Sequence, residues 1–261
     1  MLIEYTPEEI DVLVKDHRLA LEPSADRRYS MPATVLLDQD KSLAYLDKVG
    51  SIFEAASNVA NASLFAKRYS FLIIASSLYA MSRYDKSLDY SIGNCHVESH
   101  HQGQTWLPKV RLTDWQVTAP GEGGRNEWRD QVIRNVFADN LSKAWRALSK
   151  SASVSISVLW ENTAIYVYWL YENKFMEGAD AELKVRLQAD YDYLRSEAPA
   201  HLFGVTKNPL AKFDSPKVVT CASDHPIRIR KTCCYYYLAS DESNDFCSSC
   251  PKRHYEAVSI G

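Results

Sequence analysis

Glycine is scarce in this sequence, with nine among 261 residues, roughly half the average share of about 7%. Loops that cradle phosphates use glycine freely, so nucleotide-binding folds lose ground at once. Gly121-Glu122-Gly123-Gly124 follows Pro120 and lacks the third glycine of a dinucleotide fingerprint, so it reads as a loop. No G-x4-G-K-[ST] phosphate loop and no G-x-S-x-G nucleophile elbow occurs.

An excess of either charge is missing too. Thirty Lys plus Arg against 33 Asp plus Glu leave a net charge of −3, which argues against a dedicated nucleic-acid binder. There is also no uninterrupted apolar run. The longest candidate, Val154 to Tyr171, contains Ser155, Ser157, Glu161, Asn162 and Thr163. A membrane span of about 20 residues rarely tolerates a carboxylate and an amide at its centre, so a buried helix is expected there and stable membrane insertion is not. The first ten residues are acidic and broken by Pro7, so a signal peptide is not expected. The expected compartment is the cytoplasm, where thiols stay reduced.

What is present is average globular material: 46% hydrophobic and 24% charged residues. Such a chain fills one large domain or two small lobes. Thr6-Pro7-Glu8-Glu9 is a helix start. From Asp40, Leu43, Leu46, Val49, Phe53, Ala56 and Ala60 recur at helical spacing, and Phe71 to Met81 continues beyond Lys67-Arg68. A long amphipathic helix is predicted from Glu127 through Leu148, and another from Asp180 that stops near Pro199. Strands are predicted within Tyr90 to Gln102, Trp106 to Thr118, Lys217 to Cys221 and Ile227 to Leu238. The expected class is α+β, helix-rich with a modest antiparallel sheet and a C-terminal cysteine-bearing cluster loop. The expectation is a single domain over 1–261. Division into lobes 1–120 and 121–261 is compatible with the pattern, although no linker composition marks it.

The cysteines are lopsided. Cys95 and Cys221 stand apart, whereas Cys233, Cys234, Cys247 and Cys250 crowd one segment as C-C-x12-C-x2-C. In a reducing compartment such a cluster points to metal binding or redox work. A zinc ribbon wants a C-x2-4-C knuckle at both ends, and only Cys247/Cys250 has that form. Adjacent cysteines on an extended strand point to opposite faces, which suits one small ion poorly. A dinuclear iron–sulfur cluster is larger and also takes four thiolates. Spacing alone leaves zinc and iron–sulfur level, with inert thiols as the third reading. Arg228, Arg230 and Lys231 precede the first pair, and Lys252 and Arg253 follow the second. These cations would favour the reduced state of a polyanionic cluster and attract an anionic substrate. Alternatively they solubilise the segment and balance Asp241, Glu242 and Asp245.

Arg230-Lys231-Thr232-Cys233-Cys234-Tyr235-Tyr236-Tyr237 with Phe246-Cys247-Ser248-Ser249-Cys250-Pro251 resembles the C-terminal signature of the FhuF-type ferric-siderophore reductases. Leu159-Trp160-Glu161-Asn162-Thr163-Ala164 is a further, weaker similarity, to a helix of that family. The twelve residues from Tyr235 to Phe246 form a longer spacer than is usual in the family. The resemblance implies a [2Fe–2S] cluster held by Cys233, Cys234, Cys247 and Cys250. It also implies one-electron reduction of a ferric siderophore, of hydroxamate or carboxylate type, to release Fe(II) for iron acquisition. Because no nucleotide or flavin motif occurs, electrons are expected from an external donor such as a ferredoxin or flavin reductase. Arg228, Arg230, Lys231, Lys252 and Arg253 are the expected substrate-docking cations. The alternatives are a zinc-stabilised binding module and a cluster-based redox sensor.

Three other constellations read as structural. His96, Glu98 and His100 share a face if they lie on a strand, but spread over about 13 Å, too wide for one ion unless the strand bends. Exposed strand polarity is expected for them and for His101. Tyr166, Tyr168, Trp169 and Tyr171 are expected in the core, and Arg146 and Lys150 on a solvated helix face.

Overall fold

The computed structural model describes residues 3–55, 57–220, 223–239 and 246–253. Cys221, Asp241, Glu242 and Asp245 lie outside the described residues. Helix α1 (Pro7–Asp16) starts as its sequence dictates: the Thr6 hydroxyl accepts from Glu9 N–H, and the Glu9 carboxylate accepts from Thr6 N–H. Helix α2 (Gln39–Phe53) is capped by Asp38, and α3 (Asn58–Tyr84) by Ser57. The apolar spacing from Leu43 to Ala60 therefore belongs to two helices, separated where Glu54 adopts a left-handed conformation with φ 54°. The predicted helix from Glu127 runs as α4 (Gly124–Val136), a π-type turn at Phe137–Leu141, and α5 (Ser142–Ala152). Helix α6 (Ile156–Glu172) is the buried helix with polar residues at its middle. Helix α7 (Ala181–Asp192) widens into a π-type turn before Pro199, and α8 (Pro209–Phe213) is one short turn.

The strands are short. β1 (Leu19–Ala20), β2 (Met31–Pro32), β3 (Cys95–Glu98) and β6 (Lys109–Leu112) form a sheet in the order β1-β6-β3-β2. Within it β3 runs antiparallel to both β2 and β6, and β1 is parallel to β6. β4 (His101–Gln102) with β5 (Thr105–Trp106), and β7 (Lys217–Thr220) with β8 (Ser223–Arg228), are separate antiparallel pairs. The strand predicted over Ile227 to Leu238 ends at Arg228. The chain then bends, and Tyr236–Ala239 forms a 3₁₀ turn. The reason is tertiary: the Glu161 carboxylate of α6 accepts from the Lys231 and Thr232 amides, and Arg230 N–H goes to the Ser249 carbonyl, so these groups are not free to continue the ladder.

Helix α3 is the axis of the molecule. It packs against α2, α4, α5, α6, α7 and β6, so nearly its whole circumference is buried. One hydrophobic cluster runs from Leu13 to Phe213 and draws on both sides of residue 120. At its centre polar groups pair with one another: Thr163 Oγ1 accepts from Trp145 Nε1 at 3.1 Å and lies 2.9 Å from Ser70 Oγ. No described helix is long and apolar enough to cross a membrane.

Candidate functional site

The polar residues in the middle of α6 face the cysteine segment. Glu161 is 2% exposed, and its carboxylate accepts hydrogen bonds from Lys231 N–H at 2.5 Å, Thr232 N–H at 2.7 Å and the Thr232 hydroxyl. Asn162 Oδ1 accepts from the Arg230 guanidinium at 2.7 Å, and Arg230 Nε lies 3.6 Å from Glu161 Oε2. From α3, the Ser63 hydroxyl donates to the Cys234 carbonyl at 2.8 Å, while Asn162 Nδ2 donates to Ser63. Ser63, Glu161, Asn162 and Arg230 thus form a buried clamp around Arg230-Lys231-Thr232-Cys233-Cys234. Two buried charges so deep in the protein persist because each is both paired and hydrogen-bonded.

The clamp brings the two cysteine arms together. Arg230 N–H donates to the Ser249 carbonyl at 3.0 Å, and Cys250 N–H closes a turn onto the Cys247 carbonyl at 3.0 Å. Cys234 Sγ and Cys247 Sγ are 3.7 Å apart, and Cys234 and Cys250 are buried. The hydrogen bond from Cys247 holds the Cys234 thiol well below the ordinary range, helped by the charges of Lys67 and Arg230; the same bond pushes Cys247 up. Burial raises Cys233, which also feels Cys250 and Lys252. Among the described residues no three His, Cys, Asp or Glu side chains converge as a single-ion cage. The donor set nevertheless fits a thiolate-bound centre. All four thiols are free, two are at the separation of tetrahedral thiolates with bonds of about 2.3 Å, and Lys67 Nζ lies 3.9 Å from Cys234 Sγ to offset negative charge.

The five predicted docking cations divide. Arg228 pairs with Glu172 and Asp214 at 3.0 Å each and stacks on the Tyr168 ring, so it ties β8 to α6. Arg230 is 5% exposed and belongs to the clamp. Lys231, Lys252 and Arg253 are exposed; Lys231 donates to the Lys212 carbonyl, and Lys252 to the Tyr237 hydroxyl at 3.1 Å.

Elsewhere, Glu98 is fully buried and bonded to Arg111 at 2.8 Å, Ser30 at 2.9 Å and Ser24 N–H at 3.2 Å. His96 pairs with Thr113 rather than converging with Glu98 on an ion. Arg146 caps the Gly204 carbonyl. Tyr168 and Tyr171 are core, whereas Tyr166 and Trp169 line a cleft beside Cys234. In the sequence Glu161 and Asn162 counted against a membrane span and formed part of the weaker family similarity, but their contacts with the cysteine segment, the role of Ser63 and the approach of Lys67 to a thiol were not expected from it. The available signal was a carboxylate and an amide in mid-helix among apolar residues, which in a folded interior demand specific partners.

The fold and site define a helical scaffold whose α3 and α6 grip a four-thiol segment. A family model described as ferric iron reductase FhuF-like transporter matches residues 63–213, more than half of the chain, and the protein belongs to this FhuF-like family. The matched region includes Ser63, Glu161 and Asn162 but ends before the cysteine segment. No curated protein matches the sequence. Among solved structures, the aerobactin synthetase IucC from a hypervirulent pathotype of Klebsiella pneumoniae is similar over 69% of this chain at 11% identity and a TM-score of 0.47; the match spans 37% of that protein's length.

Proposed function

We propose that this protein is a one-electron reductase of ferric siderophores, with Cys233, Cys234, Cys247 and Cys250 as ligands of a [2Fe–2S] centre. The observation that carries this reading is the Cys234–Cys247 approach of 3.7 Å within a clamped segment, in a chain of the FhuF-like family. When bound, such a centre supplies one electron at a time.

The residues around it hold and bias the site. Glu161 and Asn162 fix the backbone that carries Cys233 and Cys234, so the donor atoms are preorganised. Lys67 sets a positive charge against Cys234, and Lys252 lies in the field of Cys233. Lys231, Lys252 and Arg253 are exposed and flank the cysteines in sequence, and as a cationic rim they would attract an anionic chelate. The substrate chemistry is simple: Fe(III) chelate plus one electron gives Fe(II) chelate, the electron coming from an external one-electron donor. Hard oxygen ligands hold Fe(III) far better than Fe(II), so the metal loosens.

The test is anaerobic purification with iron and sulfide counts, optical spectra and EPR after dithionite, followed by chelate reduction with a ferrous trap. A red-brown protein with equal iron and sulfide that reduces ferric chelates is expected. A colourless zinc protein would make it a zinc-stabilised module, and a coloured protein without chelate reduction would make it a sensor.

A further inference from the structure

Beside Cys234 lies a cleft of about 690 Å³ between α2, α3, α6 and the turn after the cysteine pair. Three cations line it, Arg18, Lys67 and Arg68, together with Tyr166, Trp169 and Tyr236. Each cation rests on an aromatic ring: Arg18 is 4.7 Å from the centre of Phe71, Arg68 is 4.5 Å from Phe53, and Lys67 is 5.7 Å from Tyr236. None of the three makes an ion pair with a carboxylate among the described residues, whereas Arg111, Arg125, Arg228 and Arg230 all do. Burial lowers the basicity of both Arg18 and Arg68, and the field of Arg18 adds to the effect on Arg68. Like charges gathered in a partly apolar wall are unfavourable without a counter-anion. Trp169, 45% exposed, and Tyr236, 38% exposed, leave large aromatic surface at the same place. Lys67 joins the two sites, since it lines the cleft and its ammonium lies 3.9 Å from Cys234 Sγ.

We propose that this cleft is the docking site for the iron(III) chelate, and that it selects chelates of net negative charge bearing carboxylates over uncharged trishydroxamates. The inference rests on the reductase reading for what the ligand is for, but not for whether it binds. Cations take the carboxylates, aromatic walls cover the organic shell, and the metal is brought alongside the thiol segment. The exposed rim of Lys231, Lys252 and Arg253 then acts on the approach of the ligand, and the cleft on its residence.

Gallium(III) chelates test this, because they match iron(III) in charge but are not reduced under mild conditions. Binding of gallium(III) citrate and of an uncharged gallium(III) trishydroxamate to the full chain would be followed by calorimetry. Citrate is expected to bind at least about tenfold more tightly, and Arg18→Gln and Arg68→Gln to weaken it by about tenfold. Trp169→Glu, at an exposed position, is expected to weaken citrate to a similar extent with an unchanged unfolding midpoint. Equal affinity for the two chelates, or a dissociation constant within twofold of wild type in all three variants, would overturn the proposal. The two readings fail separately. A protein without iron or sulfide that still binds gallium citrate through Arg18 and Arg68 loses the reductase reading alone. An active reductase whose KM for ferric citrate ignores these variants loses the cleft alone.

Discussion

Arg230 and Asn162 stand 68 positions apart in the chain and meet at 2.7 Å in the interior. Through this contact α6 governs the shape of the cysteine segment, since Asn162 also bonds Ser63, and Ser63 bonds the Cys234 carbonyl.

Removing the clamp carboxylate should therefore be costly. Glu161→Ala leaves Arg230 buried without its countercharge and frees the amides of Lys231 and Thr232. A loss of about 3–5 kcal/mol is expected, and about 1–3 kcal/mol for Asn162→Ala. Urea unfolding measures both, and a wild-type midpoint for Glu161→Ala would contradict the clamp.

The thiols should separate cleanly. Cys247→Ser and Cys250→Ser are expected to bleach or strongly alter the visible spectrum of the proposed centre. Cys95→Ser should leave it unchanged, because Cys95 is buried beside Asn140 and Tyr90, away from the segment. Cys221→Ser is expected to behave like Cys95→Ser on the sequence reading. Optical spectra of anaerobically prepared variants decide the matter.

Arg228→Gln should act on stability rather than on substrate. Burial works to raise the Glu172 carboxyl, but bonds from Arg228, Lys217 and Tyr191 together hold it below its ordinary range. Losing Arg228 is expected to cost about 1–3 kcal/mol with KM for ferric chelate within twofold of wild type. A large KM change with an unaltered melting temperature would restore Arg228 to the docking surface.

The exposed rim makes a different prediction. Lys231→Gln paired with Lys252→Gln, or Lys252→Gln with Arg253→Gln, should slow chelate reduction more at low ionic strength than at high, since screening shortens the reach of surface charge. Equal slowing at both salt concentrations would remove the steering role.

His17 predicts an acid limit to stability. It is fully buried, its ring centre 3.9 Å from that of Tyr79 with the planes tilted by 33°, and Nδ1 lacks a partner among the described residues. Burial, with Lys174 and Arg83 adding to it, lowers its pKa to about 3 from 6.5. The depressed value means that the neutral ring's contribution is complete above pH 6.5. It is lost as pH falls from 6.5 towards 3, by about 1.4 kcal/mol per pH unit. His17→Phe should flatten the melting temperature over that window. A parallel decline in variant and wild type would assign the acid sensitivity elsewhere.

The helix start at Thr6 was legible because a cap bonds only its own first turn, whereas the caps Asp38 and Ser57 emerged only in the structure, the apolar spacing from Leu43 to Ala60 having run across the break before Ser57. The thiol quartet was visible for the same reason, as spacing along a short segment. Local pattern also suggested that Arg228 and Arg230 were surface charge, and that Ile227 to Leu238 was strand. Both readings changed because their partners, Glu172, Asp214, Glu161 and Asn162, lie far away in sequence.

The amino-acid order thus determined the helix-rich composition, the cap at Thr6 and the gathering of four cysteines near one end, all set by interactions within a few residues. Tertiary structure decided which charges are internal and which meet water. It also placed Arg18, Lys67 and Arg68 around one cleft, because only the packing of α3 against α6 and the cysteine turn brings those distant segments within reach of a common ligand.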